Sequence, residues 1–178
     1  DGDFPAIVVE DVRLALGMIA KAERERIGMK VVAVTGSVGK STTKEMVYSV
    51  LSTTFRTGKT PVNHNNDIGM PMALLEMAED TQVAVLEMGI SDFGEMSRLA
   101  AMAQPDYCII TNIGLCHLEQ LKDRDGILRA KTECFEYMKA DGVAILNGDD
   151  DKLATVSFEN KAGLCFYGIQ REEEQDLN

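Results

Sequence analysis

Short apolar runs typical of buried strands recur along the chain and alternate with stretches of helical periodicity. The strand-like runs, rich in β-branched residues, lie at 31–34, 83–86, 107–111, 143–146 and 164–167. The stretches with a helical pattern lie at 46–51, 71–77, 92–103 and 123–137. Such alternation predicts an α/β fold with a doubly wound, mostly parallel sheet, whose active edge lies where the strands end.

The first residues carry a weaker pattern. Residues 7–9 resemble a short strand, and Asp11 is placed to cap an amphipathic helix that ends in a charged segment. We interpret 1–28 as a linker or the tail of an N-terminal domain, and an ordinary first helix is the alternative. Residues 29–178 then form the main domain.

Two other segments are less regular. Residues 55–57 resemble a short strand, and a loop rich in Gly, Pro and Asn leads from there to the helix predicted at 71–77. The chain closes with an acidic segment at 172–174, which we expect to be solvated.

Composition limits the possible partners. A chain of 178 residues with 45% hydrophobic content suits one domain with a substantial core. Its formal net charge of -11 argues against a nucleic-acid surface, although a triphosphate needs only a local positive pocket. Because no apolar run is long enough to span a bilayer and no signal peptide is present, we expect a soluble cytoplasmic protein without a membrane partner.

The chain contains four cysteines without C-x-x-C spacing, namely Cys108, Cys116, Cys134 and Cys165. This scatter fits reduced thiols in a cytosolic protein better than a zinc site or a disulfide framework. We therefore expect them to serve as small hydrophobic core residues.

Residues 31–43, with the sequence VVAVTGSVGKSTT, combine an apolar strand, a small turn and the start of a helix. The turn consists of Gly36, Ser37, Val38 and Gly39. Its backbone N–H groups and the helix N-terminus suit a phosphate, Lys40 can reach terminal phosphates, and the Ser41 hydroxyl can bind Mg²⁺. The pattern thus predicts a nucleoside triphosphate site, although Val34 replaces the first glycine of the strict motif. A glycine-rich turn with a solvated lysine is the alternative.

Polar residues follow the other predicted strands as well. Glu87 ends the run at 83–86, as expected for an acidic group that holds Mg²⁺ or its water. Asn112 and His117 follow the next run, and a later strand ends in Asn147 with Asp149 and Asp150. Taken singly these residues are typical of turns, but the ends of parallel strands converge on one crevice.

Six ordered motifs carry a resemblance to a known family: TGSVGKSTTKEM, NHNNDIGMP, LEMG followed by GEM, ITNIGLCHLE, RAKTE and LNGDD. In this order they resemble the central ATP-binding domain of the Mur ligases. The second motif and the EMG segment most resemble the MurF branch, which joins D-alanyl-D-alanine to UDP-N-acetylmuramoyl-tripeptide in peptidoglycan precursor synthesis in the bacterial cytoplasm. The resemblance also implies N-terminal and C-terminal domains, and we expect neither in these 178 residues.

The resemblance assigns roles to individual residues. Lys40 and the loop amides would hold the ATP β- and γ-phosphates, with Thr42 and Thr43 beside them. Ser41 and Glu87 would bind a first Mg²⁺. Further roles fall to four residues: Asn66 and Asn112 would line the nucleotide or metal site, His117 would bind a second metal ion, and Lys131 would be the lysine that several Mur ligases carbamylate.

Some alternatives and departures accompany this assignment. Lys131 could instead be an exposed helix lysine. Val38 stands where the family often has a polar residue, and Leu115 and Cys116 replace a more usual Glu-Ala pair before His117, which affects second-metal or substrate contacts.

The implied reaction is ATP-dependent amide formation through an acyl phosphate, carried out by a monomer. Two other functions stay open: a related ligase, such as a folylpolyglutamate or cyanophycin synthetase, and a nucleotide-binding chain without turnover. We expect the 178 residues alone to be inactive or nearly so.

Overall fold

The computed structural model describes residues 5–157 and 163–169. Within them a single sheet of six strands is parallel throughout, in the order β2-β3-β1-β4-β5-β6. The strands are β1 (Lys30–Thr35), β2 (Thr57–Lys59), β3 (Val83–Glu87), β4 (Tyr107–Ile110), β5 (Val143–Asn147) and β6 (Gly163–Tyr167). The predicted doubly wound α/β fold is confirmed.

The strands are connected by helices and turns. The helices are α1 (Val12–Ile27), α2 (Lys40–Leu51), α3 (Gly69–Leu75), α4 (Glu95–Ala103), α5 (Leu118–Leu121) and α6 (Arg124–Thr132). Two 3₁₀ segments, Glu133–Tyr137 and Leu153–Thr155, complete the described elements.

The central strand β1 is buried on both faces, which explains its continuous apolar sequence. Val31 and Ala33 belong to the larger core cluster, which includes residues of α1, α3, α4 and α6. Val32 and Val34 point to the opposite face, where the α2 residues Val47, Tyr48 and Leu51 pack. Alternation along one strand thus places helices on both sides of the sheet.

The register of β1 brings several strand ends to one edge. Val34 pairs with Glu87 of β3, and Thr35 pairs with Ile110 of β4. The chain runs from β1 outward to β2, returns through β3, and continues on the other side of β1 with β4. A crevice is expected where the strand order reverses in this way, and here it lies beyond the end of β1.

Several predicted boundaries differ from the structure. The strand predicted at 7–9 is absent: Ile7 and Val8 are 89% and 95% exposed and pair with no strand among the described residues. The strand predicted at 55–57 is instead Thr57–Lys59, in register with Val83 to Val85. The helix predicted to begin at residue 71 begins at Gly69, because the Asn66 side chain accepts a hydrogen bond from the Gly69 amide. The acidic segment at 172–174 lies outside the described residues.

Two helices begin at capping aspartates, of which Asp11 was predicted as a cap. The Asp11 carboxylate accepts hydrogen bonds from the amides of Arg13 and Leu14, and Asp123 accepts one from Gly126. The segment predicted as one helix at 123–137 changes from α-helix to 3₁₀ after Thr132.

The first helix packs on the body of the fold through α3 and α4. The assignment of residues 1–28 to a linker or to the tail of an N-terminal domain stays a prediction. No helix among the described residues is long and apolar enough to cross a membrane.

The edge opposite the crevice is fixed by a buried carboxylate. Asp106 accepts hydrogen bonds from the Val31 amide at 2.8 Å and the Lys30 ammonium at 2.8 Å, and Lys139 lies 3.4 Å away. Burial by itself raises the pKa of Asp106, but the hydrogen bonds and the two lysine charges outweigh it, so that the pKa lies below its ordinary value. Asp106 therefore ties the start of β1 to the start of β4.

We predict that Asp106→Ala lowers the free energy of unfolding by about 2 kcal/mol, because it leaves the buried Val31 amide without its acceptor. Asp80→Ala, which removes an exposed partner of Arg56, is the control and should cost about 0.5 kcal/mol or less. Urea denaturation measures both. Because folding lowers the pKa of Asp106, its stabilisation is complete above about pH 4 and disappears as the pH falls through the folded-state pKa. A difference between wild type and Asp106→Ala that grows in acid would contradict this assignment.

Candidate functional site

The predicted phosphate loop, residues 36–39, connects β1 to α2. Gly36 has a φ of 142° and Gly39 a φ of 85°, both in the range that favours glycine. A Cβ on Gly36 would lie 1.9 Å from Thr111 Oγ1. The loop can approach the end of β4 this closely only because Gly36 has no side chain.

The segment after β4 holds the loop in place. The Asn112 side chain accepts a hydrogen bond from the Val38 amide at 3.0 Å and donates one to the Val38 carbonyl at 2.9 Å. Thr111 Oγ1 donates to the same carbonyl at 2.6 Å. Asn112 is thus a support of the loop backbone, and its predicted contact with nucleotide or metal stays a prediction.

Lys40, the first residue of α2, folds back over the loop. Its ammonium donates to the Gly36 carbonyl at 3.0 Å and lies 3.5 Å from the Ser37 carbonyl. A cation held by two carbonyl oxygens at the mouth of the loop is able to turn toward a phosphate, which would offer it stronger, charge-assisted hydrogen bonds.

The predicted metal ligands Ser41 and Glu87 are brought together. Ser41 Oγ donates to Glu87 Oε2 at 2.8 Å, while Asn65 Nδ2 donates to Glu87 Oε1 at 3.0 Å. The Glu87 amide is held by Thr60 Oγ1 at 2.9 Å, and the residue is 4% exposed. The carboxylate is therefore fixed in a single orientation beside the start of α2.

The sequence interpretation missed Lys44 and Asn65. Lys44 is fully buried, donates to the Thr60 carbonyl at 2.9 Å and places its ammonium 3.8 Å from Glu87 Oε2. Lys44 follows Ser41 by three residues, so the two side chains lie on one face of α2. This spacing is the feature of the sequence that could have identified Lys44. Asn65 is adjacent to the predicted Asn66, and the sequence pattern does not distinguish these two neighbours.

A cavity of about 400 Å³ opens beside the loop. Its lining includes Lys40, Asn66, Cys116, His117 and Lys131, residues that come from four separate parts of the chain. The cavity therefore joins the phosphate loop to the predicted second-metal and carbamylation residues.

Lys131 is 2% exposed, so the alternative of an exposed helix lysine is wrong. Its ammonium makes no hydrogen bond or ion pair with another residue in the described part of the chain. Burial, helped by the charge of Lys40 and opposed by Cys116, lowers the pKa of Lys131 to about 8. A substantial share of this amine is therefore neutral near physiological pH.

The other predicted site residues are placed less directly. Asn66 lines the cavity while its side chain caps α3, and His117 lines it from a backbone with a φ of 50°. Thr42 is exposed and Thr43 half-buried in the first turn of α2. No three His, Cys, Asp or Glu side chains cluster as a metal-ion site in residues 5–157 and 163–169, so the metal role of His117 stays a prediction.

The polar residues after β5 support the backbone of the segment that follows β4. Asn147 Nδ2 donates to the Thr111 carbonyl at 3.1 Å, and Asp150 accepts from the Ile113 amide at 2.8 Å. Asp149 accepts from the Ile169 amide. These three side chains thus form hydrogen bonds with backbone groups. This is the role in turns that the sequence analysis gave as the alternative to a role in the site.

Cys108 and Cys134 are fully buried, as expected for core residues, and all four thiols are free. Cys116 is half-buried and packs against the larger core cluster, whereas Cys165 is half-buried outside both described clusters, so the expectation of a core role is wrong for Cys165.

Residues 34–178 match the family model described as the Mur ligase middle domain. The chain belongs to the Mur ligase family. A curated relative, the UDP-N-acetylmuramoyl-tripeptide--D-alanyl-D-alanine ligase of Bacillus subtilis, is 48% identical over 147 residues, which are 83% of this chain and 32% of the relative. This Mur ligase chain thus spans about a third of the length of the curated relatives it matches.

Solved structures agree with the family. The crystal structure of MurF from Acinetobacter baumannii superposes with a TM-score of 0.88 at 42% identity, covering 94% of this chain and 38% of that one. MurF from Thermotoga maritima in complex with ADP gives 0.86 at 32% identity, covering 93% and 38%. Escherichia coli FolC is 19% identical with a TM-score of 0.65 over 91% of this chain and 48% of its own, and this likeness shows the fold alone.

We predict that Gly36→Ala destabilises the domain much more than Gly28→Ala. Both glycines have positive φ, but a Cβ on Gly28 meets nothing within 4 Å. Gly28→Ala should therefore cost about 1 kcal/mol from backbone strain, and Gly36→Ala at least about 2 kcal/mol more because of the contact with Thr111. Urea denaturation of both variants provides the comparison. Equal losses would show that the loop does not depend on this close approach.

Proposed function

We propose that this chain binds ATP at the phosphate loop and is the nucleotide-binding part of a MurF-type ligase. The observation that carries the proposal is the convergence of the loop, Lys40 and the Ser41–Glu87 pair at one edge of the sheet. The 48% identity to a curated ligase of this type and the likeness to a MurF structure with ADP support it.

The proposed reaction joins D-alanyl-D-alanine to UDP-N-acetylmuramoyl-tripeptide. An oxygen of the tripeptide carboxylate attacks the γ-phosphorus of ATP, forming an acyl phosphate while the bond to ADP breaks. The amine of the dipeptide then attacks the acyl carbon, phosphate leaves with the electrons of its bond to that carbon, and one proton of the amine passes to solvent. No protein nucleophile is needed, so the residues act by aligning the reactants and neutralising charge.

Each residue of the site suits a part of this task. Lys40, now bound to loop carbonyls, would move to the β- and γ-phosphates, and the amides at the start of α2 would face the same charge. The support of the loop by Asn112 and Thr111 would fix where the phosphates lie. Lys131 lines the cavity beside the loop, and once carbamylated it would supply an anionic oxygen donor to a bound metal ion.

The oxygen donors of Ser41 and Glu87 fit Mg²⁺, which prefers oxygen ligands. These donors lie 2.8 Å apart at the start of α2, and Lys44 offsets part of the Glu87 charge from the buried side. When bound, Mg²⁺ would supply positive charge to the phosphates. A second ion at His117 is less well supported, because an imidazole is not a ligand that Mg²⁺ favours.

The second candidate is a function like that of a folylpolyglutamate synthase, which uses related chemistry. The solved structures of this type are less than 20% identical to this chain, so they support only the fold. The substrates separate the candidates. Phosphate release by a chain of the relatives' full length should require UDP-N-acetylmuramoyl-tripeptide together with D-alanyl-D-alanine. Release with a folate and glutamate instead would contradict the proposed substrate class.

We predict that Lys40→Met weakens binding of a non-hydrolysable ATP analogue to this chain at least about tenfold, since it removes a charge-assisted contact to the phosphates. Lys21→Met, on α1, is the control and should bind the analogue as wild type does. Isothermal titration calorimetry measures both affinities. Unchanged binding by Lys40→Met would remove Lys40 from the site.

We further propose that Lys131 is carbamylated. A carbamate forms when a neutral amine attacks CO₂, so its yield should rise through the lowered pKa of about 8 and not through the ordinary lysine value of about 10.4. With isotope-labelled bicarbonate, carbon NMR should show a carbamate signal that grows with pH near that value. Lys131→Met should lack the signal, and Lys44→Met, which removes another lysine that is fully buried among the described residues, should keep it. A signal that persists in Lys131→Met would refute the assignment.

A further inference from the structure

We propose that, in the chain whose Lys131 is not carbamylated, Cys116 is a covalent modification site inside the cavity, where a small anionic disulfide reacts and excludes the nucleoside triphosphate. The exclusion rests on the proposed function, whereas the site of reaction and its charge preference do not.

The position of Cys116 places any adduct against the phosphate loop. Its thiol donates to Ser37 Oγ at 3.2 Å, and Ser37 Oγ in turn accepts from the Gly114 amide at 2.9 Å. Ser37 belongs to the loop, and Cys116 lines the cavity of about 400 Å³. A group attached to this sulfur must therefore occupy space beside the loop.

Access distinguishes Cys116 from the other thiols. Cys108 and Cys134 have no exposed surface, so a reagent reaches them only after unfolding. Cys165, on β6, is half-buried like Cys116 but lies on a strand far along the sheet from the loop. Cys116 is thus a reachable thiol next to Lys40 and Lys131, and Cys165 is its matched control.

The second, independent observation is the ammonium of Lys131. It lines the same cavity, is 2% exposed and has no hydrogen-bonding or ionic partner within the described ranges. Burying a charge without a partner is costly, and an anion entering the cavity would offset that cost.

The acidic residues that line the cavity are already engaged. Asp67 lies 3.4 Å from Arg13, and Glu95 accepts hydrogen bonds from the amides of Ser91 and Asp92. Lys40 and Lys131 have no ionic partner among the described residues, so an anionic ligand in the cavity would pair with them although the chain as a whole carries a net charge of -11.

The reaction is thiol–disulfide exchange. The Cys116 sulfur attacks one sulfur of the disulfide, a new S–S bond forms and the original S–S bond breaks. Cys116 is oxidised, one half of the reagent is reduced and leaves as a thiolate, and the proton of Cys116 passes to solvent. A reducing thiol reverses the step.

The experiment compares dithiobis(nitrobenzoate), a dicarboxylate, with the neutral dithiodipyridine, in bicarbonate-free buffer so that Lys131 stays unmodified. Peptide mass mapping over time gives the rate at each cysteine. For each cysteine we take the ratio of the rate of modification by the anionic reagent to the rate by the neutral reagent. We expect this ratio to be about tenfold higher at Cys116 than at Cys165. Lys131→Met should lower the ratio at Cys116 several-fold and leave that at Cys165 unchanged. Equal ratios at the two thiols, or no effect of Lys131→Met, would overturn the site.

The exclusion is measured separately. A non-hydrolysable ATP analogue should slow modification of Cys116 but not of Cys165, and the modified protein should lose affinity for the analogue until a reducing thiol restores it. The Cys116→Ser variant should bind the ATP analogue with the same affinity before and after treatment with the reagent. Full affinity in the modified protein would overturn the exclusion. Failure of the unmodified chain to bind the analogue would overturn the proposed function instead, and the rate ratios would still decide the site.

Discussion

The phosphate loop depends on one close approach, between Gly36, which follows β1, and Thr111, which follows β4. Thr111 Oγ1 occupies the space that a Cβ would need and donates its hydrogen bond to the Val38 carbonyl. Because Asn112 also holds both backbone groups of Val38, the loop has its shape before any ligand arrives. A ligand that binds such a loop loses little affinity to ordering it.

Two of the lysines that the structure describes are buried near the site of this acidic chain. Lys44 is buried with partners, since the Thr60 carbonyl and the carboxylates of Glu45 and Glu87 surround its ammonium. Lys131 is buried without partners in the described structure, and the cost appears as a pKa lowered to about 8. The two buried lysines therefore differ in kind: the first orients a carboxylate, and the second is available to an anion or to CO₂.

The sequence was sufficient to assign the site residues to the ends of particular strands. It was not sufficient to show where each side chain points. Apolar runs ending in glycine or a carboxylate located the loop and Glu87, because a fully buried parallel strand has few alternatives. The burial of Lys131 depends on how α6 is rotated against α4, which no local pattern of charges reports. Likewise, the choice of Asn65 as the partner of Glu87 is made by the fold of a loop. Such tertiary choices lie beyond periodicity and spacing.

The two sides of β1 contribute differently to the site. On the β4 and β5 side, hydrogen bonds to backbone groups form a relay in which Asn147 and Asp150 support the segment that in turn supports the loop. On the β3 side, the charged groups Glu87 and Lys44 lie beside Ser41. The loop backbone is thus positioned from one side of β1, and the Ser41–Glu87 pair is positioned from the other. A change at Cys116, on the β4 side, can therefore alter the space beside the phosphates while the Ser41–Glu87 pair keeps its own hydrogen bonds.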